Sequence, residues 1–318
     1  MFTAGRFVLL SSLLSIAWSA TAHATVLSLM APVGGANVYA IHNFTATSSD
    51  VEGAIVAGGN VTLSNYSVNA LNQDAFGSKD YAVVAGGNLK LNSGSINNGV
   101  TYVGGTASLT SAAPLKASGG NPVDFQAAES YYKSLSGALD QLDPSGSVAR
   151  LWSGVKVTGS GKGGVDVFDV SGDLFSTSSS WTLAQLVPGQ TLIFNVSGKS
   201  GTFNGGGISF APLAGYNVLF NFYEATSVNV KGVIGSVLAP YATVSENWGV
   251  INGNVIVDTW NSTVQINANH GFAAVDVPGL KLGGEPADVP EPGSAALLAA
   301  GLAAAIASRR KALWTNPA

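Results

Sequence analysis

Apolar residues recur at every second position through much of this chain, and short glycine-rich breaks interrupt the alternation. Val61-Thr62-Leu63-Ser64 and Leu89-Lys90-Leu91-Asn92 alternate apolar and polar side chains, the period of a half-buried strand. Each follows the same tetrapeptide, Ala57-Gly58-Gly59-Asn60 and, 28 positions later, Ala85-Gly86-Gly87-Asn88. Apolar runs lead into both copies (Ala54-Ile55-Val56, Ala82-Val83-Val84). Strand, corner, strand is the pattern of a stacked, coil-by-coil β architecture. Gly and Asn suit corners that need positive φ or close backbone approach.

The alternation begins with Val38-Tyr39-Ala40-Ile41, and a third Gly-Gly corner, Gly104-Gly105, arrives 18 positions after the second. Further strands are predicted at Lys156 to Thr158, Val165 to Val170, Trp181 to Leu186, Thr191 to Val196 and Tyr216 to Tyr223. In the last, Val218, Phe220 and Phe222 share one side. A second repeat aligns Gly235-Ser236-Val237-Leu238-Ala239 with Gly253-Asn254-Val255-Ile256-Val257, again 18 apart. That common offset is about one coil of three short strands. One segment has the other period: Phe125, Ala128, Tyr132, Leu135, Leu139 and Leu142 fall on one face of a helix predicted from Asp124 to Leu142. Asn121 or Asp124 caps its start, and Asp143-Pro144 ends it. The fold class expected is all-β, a right-handed β-solenoid or β-helix-like stack with one flanking amphipathic helix.

Composition narrows the partners. The 318 residues contain 40 Gly and no Cys, so no disulfide framework supports the fold. Between the terminal segments lie 18 acids against ten bases, a net charge near −8 that disfavours nucleic acid as a partner.

Residues 1–24 read as a signal peptide, with Arg6, an apolar core from Phe7 to Trp18, and cleavage at Ala22-His23-Ala24. Residues 25–277 form the expected β domain. Residues 278–293 make a Pro- and Gly-rich linker ending in Pro290-Glu291-Pro292. Residues 294–318 carry an Ala/Leu-rich run and the basic cluster Arg309, Arg310 and Lys311. The run is shorter than the ~20 residues of an ordinary membrane span. These parts, in this order, closely resemble the PEP-CTERM sorting signal of Gram-negative bacteria. The resemblance implies processing by an exosortase, a transient inner-membrane anchor and traffic to the cell surface or matrix.

With that tail in view, the body resembles the choice-of-anchor A family of bacterial surface proteins. The matching residues are Val51-Glu52-Gly53, Ala57-Gly58-Gly59-Asn60-Val61, Gly235-Ser236-Val237-Leu238-Ala239-Pro240 and Ile251-Asn252-Gly253. The resemblance implies a surface-exposed adhesive or matrix role and supplies no catalytic residues.

Candidate chemistry is sparse. His42 and His270 are far apart and in no paired ligand spacing. Asp166, Asp169 and Asp173 form the densest acidic group, a weak calcium candidate whose spacing departs from that of a calcium loop. Asp50 and Glu52 precede the first corner and Asp80 the second, so stacking brings carboxylates onto adjacent coils. That is the feature a polysaccharide-active β-helix enzyme would need. Tyr66, Tyr102, Tyr241, Trp248 and Trp260 lie near turns beside Asn and Ser, where aromatic faces and amides suit carbohydrate or protein contact. An ice-binding array would need regularly spaced threonines, and Thr62, Thr110, Thr243 and Thr263 form no file in the sequence. The leading expectation is therefore a noncatalytic surface protein, without cofactor, that contacts exopolysaccharide or other surface proteins.

Overall fold

The computed structural model describes residues 25–71, 81–112, 114–203, 208–230, 232–245 and 248–282. Ala22, Ala24, Asp80, the Pro290-Glu291-Pro292 motif and Arg309, Arg310 and Lys311 lie outside them. The described body is mostly β with one long helix, and an 18-stranded sheet dominates it. Every pairing within that sheet is parallel.

Three ladders run along the sheet. The first stacks Val165–Ser171, Thr191–Ser197, Asn217–Asn221, the start of Ser236–Val244, the start of Val255–Asn261, Val38–Ala40, Ile55–Ala57, Tyr81–Ala85 and Val100–Val103. The second joins Ser200–Thr202 to Ser227–Asn229, the ends of Ser236–Val244 and Val255–Asn261, and the first halves of Phe44–Val51, Val61–Val68 and Leu89–Ile96. It ends at Ala107–Ala112. The third joins Gly232–Ile234, Val250–Asn252 and Gln265–Asn267 to the second halves of the same long strands.

The chain therefore starts in the middle of its own stack. Val38–Ala40 lies between Ile55–Ala57 and Val255–Val257, so the two repeat blocks meet across more than two hundred residues of sequence. From there the chain builds outward to Ala107–Ala112, returns through the helix, and builds inward again from Val165. Thr25–Leu27 and Val275–Val277 pair antiparallel as a clasp.

The glycine corners connect the first and second ladders. A Cβ on Gly58, Gly86 or Gly104 would stand 2.3, 2.2 or 2.2 Å from the carbonyl oxygen of Ile41, Gly58 or Gly86. None of the three has positive φ, so close approach alone demands glycine there, which narrows the sequence expectation. Asparagines stitch the same corner. The backbone N–H of Asn60 donates to Asn43 Oδ1, that of Asn88 to Asn60 Oδ1, and that of Thr106 to Asn88 Oδ1, each at 2.8 Å. Positive φ falls instead between the second and third ladders, at Ser48, Asn65, Ser93 and Ser111, one equivalent residue per coil.

Inside, Phe168, Phe194 and Phe220 stand in register on adjacent coils, with ring centroids 5.0 and 5.1 Å apart. Val218, Phe220 and Phe222 share the core side, as the alternation predicts. Each such buried ring contributes ~1.5–3 kcal/mol. The helix, Phe125–Asp140, lies against the outer side of the first ladder. The Asp124 carboxylate caps it by accepting from the Ala127 N–H at 3.0 Å, a contact of ~1 kcal/mol. Asn195 and Asn221 replace apolar residues beneath it. Asn221 donates to Ser136 O at 2.9 Å and accepts from Ser136 Oγ at 2.6 Å, and Asn195 donates to Leu139 O at 2.7 Å. These buried amides hold the helix in one register.

Candidate functional site

The outer side of the third ladder gathers the polar chemistry. Asp50 lies near the end of the strand Phe44–Val51 and Glu52 just beyond it, near enough for their charges to interact. The neighbouring coil adds Gln265 and Asn267, because Val51 is in register with Ile266. Glu52 is fixed at both ends: its N–H donates to Ile266 O at 3.0 Å and its Oε2 accepts from the Ala268 N–H at 2.8 Å. Gln265 Nε2 donates to Asn267 Oδ1 at 2.9 Å, and Asn267 Nδ2 to Asn252 Oδ1 at 3.1 Å. On the other flank Asn97 Nδ2 bridges Ser67 Oγ at 3.2 Å and Ser95 Oγ at 3.1 Å. Partial burial pushes the Asp50 carboxyl above its ordinary value. Glu52 adds to that shift, and a hydrogen bond from Gln265 opposes it.

The same ladder also carries a hollow at its other end. Trp248, 61% exposed, enters the strand Val250–Asn252. Val250, Ile234 and Asn252 line an open hollow of about 410 Å³ together with Phe210 and Gly232. Apolar side chains and Asn252 line it, and such a lining can hold a ring that carries hydroxyl groups.

The second ladder presents a different surface. Thr45 is in register with Thr62 and Asn261, and Thr62 with Lys90. Thr47, Ser64, Asn92 and Thr110 form a parallel file, and Thr243 pairs with Thr259. Threonines thus come into register that the linear sequence does not align, yet Asn, Ser and Lys interrupt each file. Thr263 lies outside these files.

The aromatic candidates separate. Tyr66 is 1% and Trp260 0% exposed, and both lie in the core against Phe44. This corrects their reading as surface contacts: the left-handed residue Asn65 resets the in–out alternation and turns Tyr66 inward. Tyr102 is half-buried on the outermost coil of the first ladder. Tyr241 is exposed, with Lys133 Nζ of the helix 5.4 Å from its ring centroid. Of the five, Trp248 and Tyr241 are exposed.

The calcium candidates are corrected as well. Asp166 is fully buried. Its carboxylate accepts from Ser145 Oγ at 2.9 Å, the Ser160 N–H at 3.0 Å and Gln190 Nε2 at 2.8 Å. Burial pushes its carboxyl up, but those bonds outweigh burial and hold it below its ordinary value. Asp173 takes the Ser171 hydroxyl. Among the described residues, no group of three or more His, Asp or Glu side chains is gathered as a metal site.

Sequence reasoning missed Asn252, Gln265 and Asn267. The strand through Gln265 and Ile266 is legible as alternation, but its polar positions gain meaning only beside Glu52. His42, 55% exposed, pairs with Asp258 at 2.8 Å across two coils, a surface contact of structural kind.

No described helix is long and apolar enough to cross a membrane. No curated relative and no solved structure matches the chain. The PEP-CTERM protein-sorting motif matches residues 288–311, which marks a secreted protein sorted to the surface of a Gram-negative bacterium with processing by an exosortase. Residues 30–268, the stacked β body just described, match one family model, and the chain belongs to that family, described as "Putative Ice-binding-like adhesive domain".

Proposed function

We propose that this protein is a noncatalytic surface or matrix adhesin whose body is a right-handed β-solenoid and whose third ladder binds exopolysaccharide. The observation that carries this reading is the convergence of Asp50, Glu52, Gln265 and Asn267 on adjacent coils beside Asn252, with the exposed Trp248 two residues before the strand Val250–Asn252. Hydroxyl-rich chains suit such a surface: carboxylates and amides accept and donate in alternation, and the indole face packs on the apolar side of a sugar ring. The domain plan of residues 1–24, 25–277, 278–293 and 294–318 supports the same reading, since export and sorting would leave the body outside the cell. Display architecture of this kind is compatible with the choice-of-anchor A resemblance. The polysaccharide-active enzyme is the weaker reading, because the Glu52 carboxylate is held by the Ala268 N–H.

The exported chain, titrated against a panel of soluble polysaccharides, tests the proposal. We expect saturable binding that Trp248→Ala and Asp50→Asn each weaken by about ten-fold, the scale of one good contact. Release of oligosaccharide would replace binding with hydrolysis or lyase action. Binding unchanged in both variants would move the site elsewhere. The second ladder favours one further reading, ice binding, because Thr45 and Thr62 stand in register. Interruption of the files by Asn261 and Lys90 leads us to expect no thermal hysteresis, and a hysteresis lost in Thr62→Lys would reverse that order.

A further inference from the structure

The stack has one open end. Ala107–Ala112 pairs on one side with Leu89–Ile96, and among the described residues nothing pairs with its other side. Beside it, the outermost strand of the first ladder is shielded. The Thr101 N–H donates to Lys116 O at 2.7 Å and the Ser118 N–H to Thr101 O at 2.8 Å. A separate three-stranded sheet packs at the opposite end of the stack. The hairpin Ser147–Leu151 and Gly154–Thr158, extended by Trp181–Ala184, puts Val155 and Val157 into the core.

The open strand carries none of the usual protections. Free edges are commonly blunted by Lys, other charges, Pro or a covering segment, because bare N–H and C=O groups template further pairing. From Thr101 to Ala113 the chain has no charged residue and no proline, within a body of net charge near −8. Ala107 through Ser111 are exposed. Leu109 occupies the position that Leu63 and Leu91 fill in the core, yet is 37% exposed.

The hydrogen-bond parity of this edge restricts what can add to it. The Leu89 N–H donates to Thr106 O at 2.9 Å. Alternation along a parallel ladder then turns Ser108 and Thr110 toward the neighbouring coil, and the N–H and C=O groups of Ala107 and Leu109 outward.

We infer that this edge joins a second copy of the chain, strand to strand and antiparallel, about a two-fold axis through Leu109. Leu109 then faces its own counterpart, so its outward-directed groups meet the same groups of the second copy, and the pairing ends at the left-handed corner Ser111. No like charges oppose one another in that register. Because the two-fold contact uses the same edge on both copies, it closes as a dimer and does not propagate as a filament.

The absence of cysteine gives a direct test. In an antiparallel hydrogen-bonded pair the Cα atoms lie about 5.5 Å apart, inside the disulfide window of about 4.4–6.8 Å. Leu109→Cys is introduced into the full exported chain, with Thr62→Cys at mid-stack on the same ladder as the collision control. We expect mild oxidation to convert Leu109→Cys into a reducible dimer while Thr62→Cys stays monomeric. The unsubstituted protein should sediment at twice the chain mass, and Ala107→Asp should sediment as monomer with an unchanged circular dichroism spectrum. Equal cross-linking of the two cysteine variants would overturn the inference, as would a monomeric unsubstituted protein or a dimer retained in Ala107→Asp. A monomer that dimerises only after removal of residues 283–318 would show that the tail covers the edge, and would overturn it too.

Discussion

Replacing Gly86 with alanine tests the coil-stacking argument at its narrowest point. The added Cβ would stand 2.2 Å from Gly58 O, 2.9 Å from Gly58 C and 2.9 Å from Phe125 Cε2. Relief requires the corner to retreat by roughly 1 Å from a neighbour only ~4.8 Å away. The hydrogen bonds from Gly86 N to Ala57 O and from Gly87 N to Gly59 O, both 2.8 Å, would then stretch beyond useful length. Overpacking costs ~1–3 kcal/mol, and each buried backbone group left unpaired adds ~1–3 kcal/mol. Together these give a loss of about 3–9 kcal/mol, a large part of the ~5–15 kcal/mol that domains typically possess. Urea unfolding followed by circular dichroism measures it. Gly119→Ala is the control, since a Cβ there meets nothing within 4 Å, and its change should stay within about 0.5 kcal/mol. A Gly86→Ala protein within about 1 kcal/mol of the parent would refute the claim that close approach dictates the glycine corner.

Other consequences follow from buried polar groups and titration. Asn221→Leu strands Ser136 Oγ, Ser136 O and Asn195 Oδ1. It should cost about 3 kcal/mol and raise hydrogen exchange across Phe125–Asp140, and unchanged exchange would mean that apolar contacts alone hold the helix. The depressed Asp166 carboxyl contributes stability that is present above the unfolded value of ~3.9 and is lost as pH falls through the lower folded one. Asp166→Asn should therefore flatten the acid limb of a melting-temperature profile while lowering stability at neutral pH. Asp50 has the opposite sign: its raised carboxyl means that stability declines as pH rises from the unfolded toward the folded value. Asp50→Asn should remove that decline while weakening polysaccharide binding, and a variant that binds fully would detach Asp50 from the site.

Several elements could be read directly because their cause is local. The helix was legible from six apolar residues at spacings of three and four, and Asp124 caps it as its residue type predicts. The 18-residue offset marked true neighbours, since Ser236 and Asn254 occupy adjacent coils. The candidate site was legible only in part. Asp50 and Glu52 lie close together and Trp248 is exposed, whereas Tyr66 and Trp260 face the core. Alternation gives the parity of a strand but loses count at each corner, and Asn65 is a residue at which the count changes.

By itself the sequence determined periods, corners, caps and the sorting motif, because these depend on residues within one coil or one helix of each other. The tertiary structure alone decided the order of the coils. Val38–Ala40 docks on Val255–Val257, and Glu52 meets Ala268, each across more than two hundred residues. Parallel strands of similar composition offer one another nearly equivalent edges, so which edge meets which depends on how the whole chain closes. That closure carries Gln265 and Asn267 to Asp50 and Glu52, and leaves Ala107–Ala112 as the open edge.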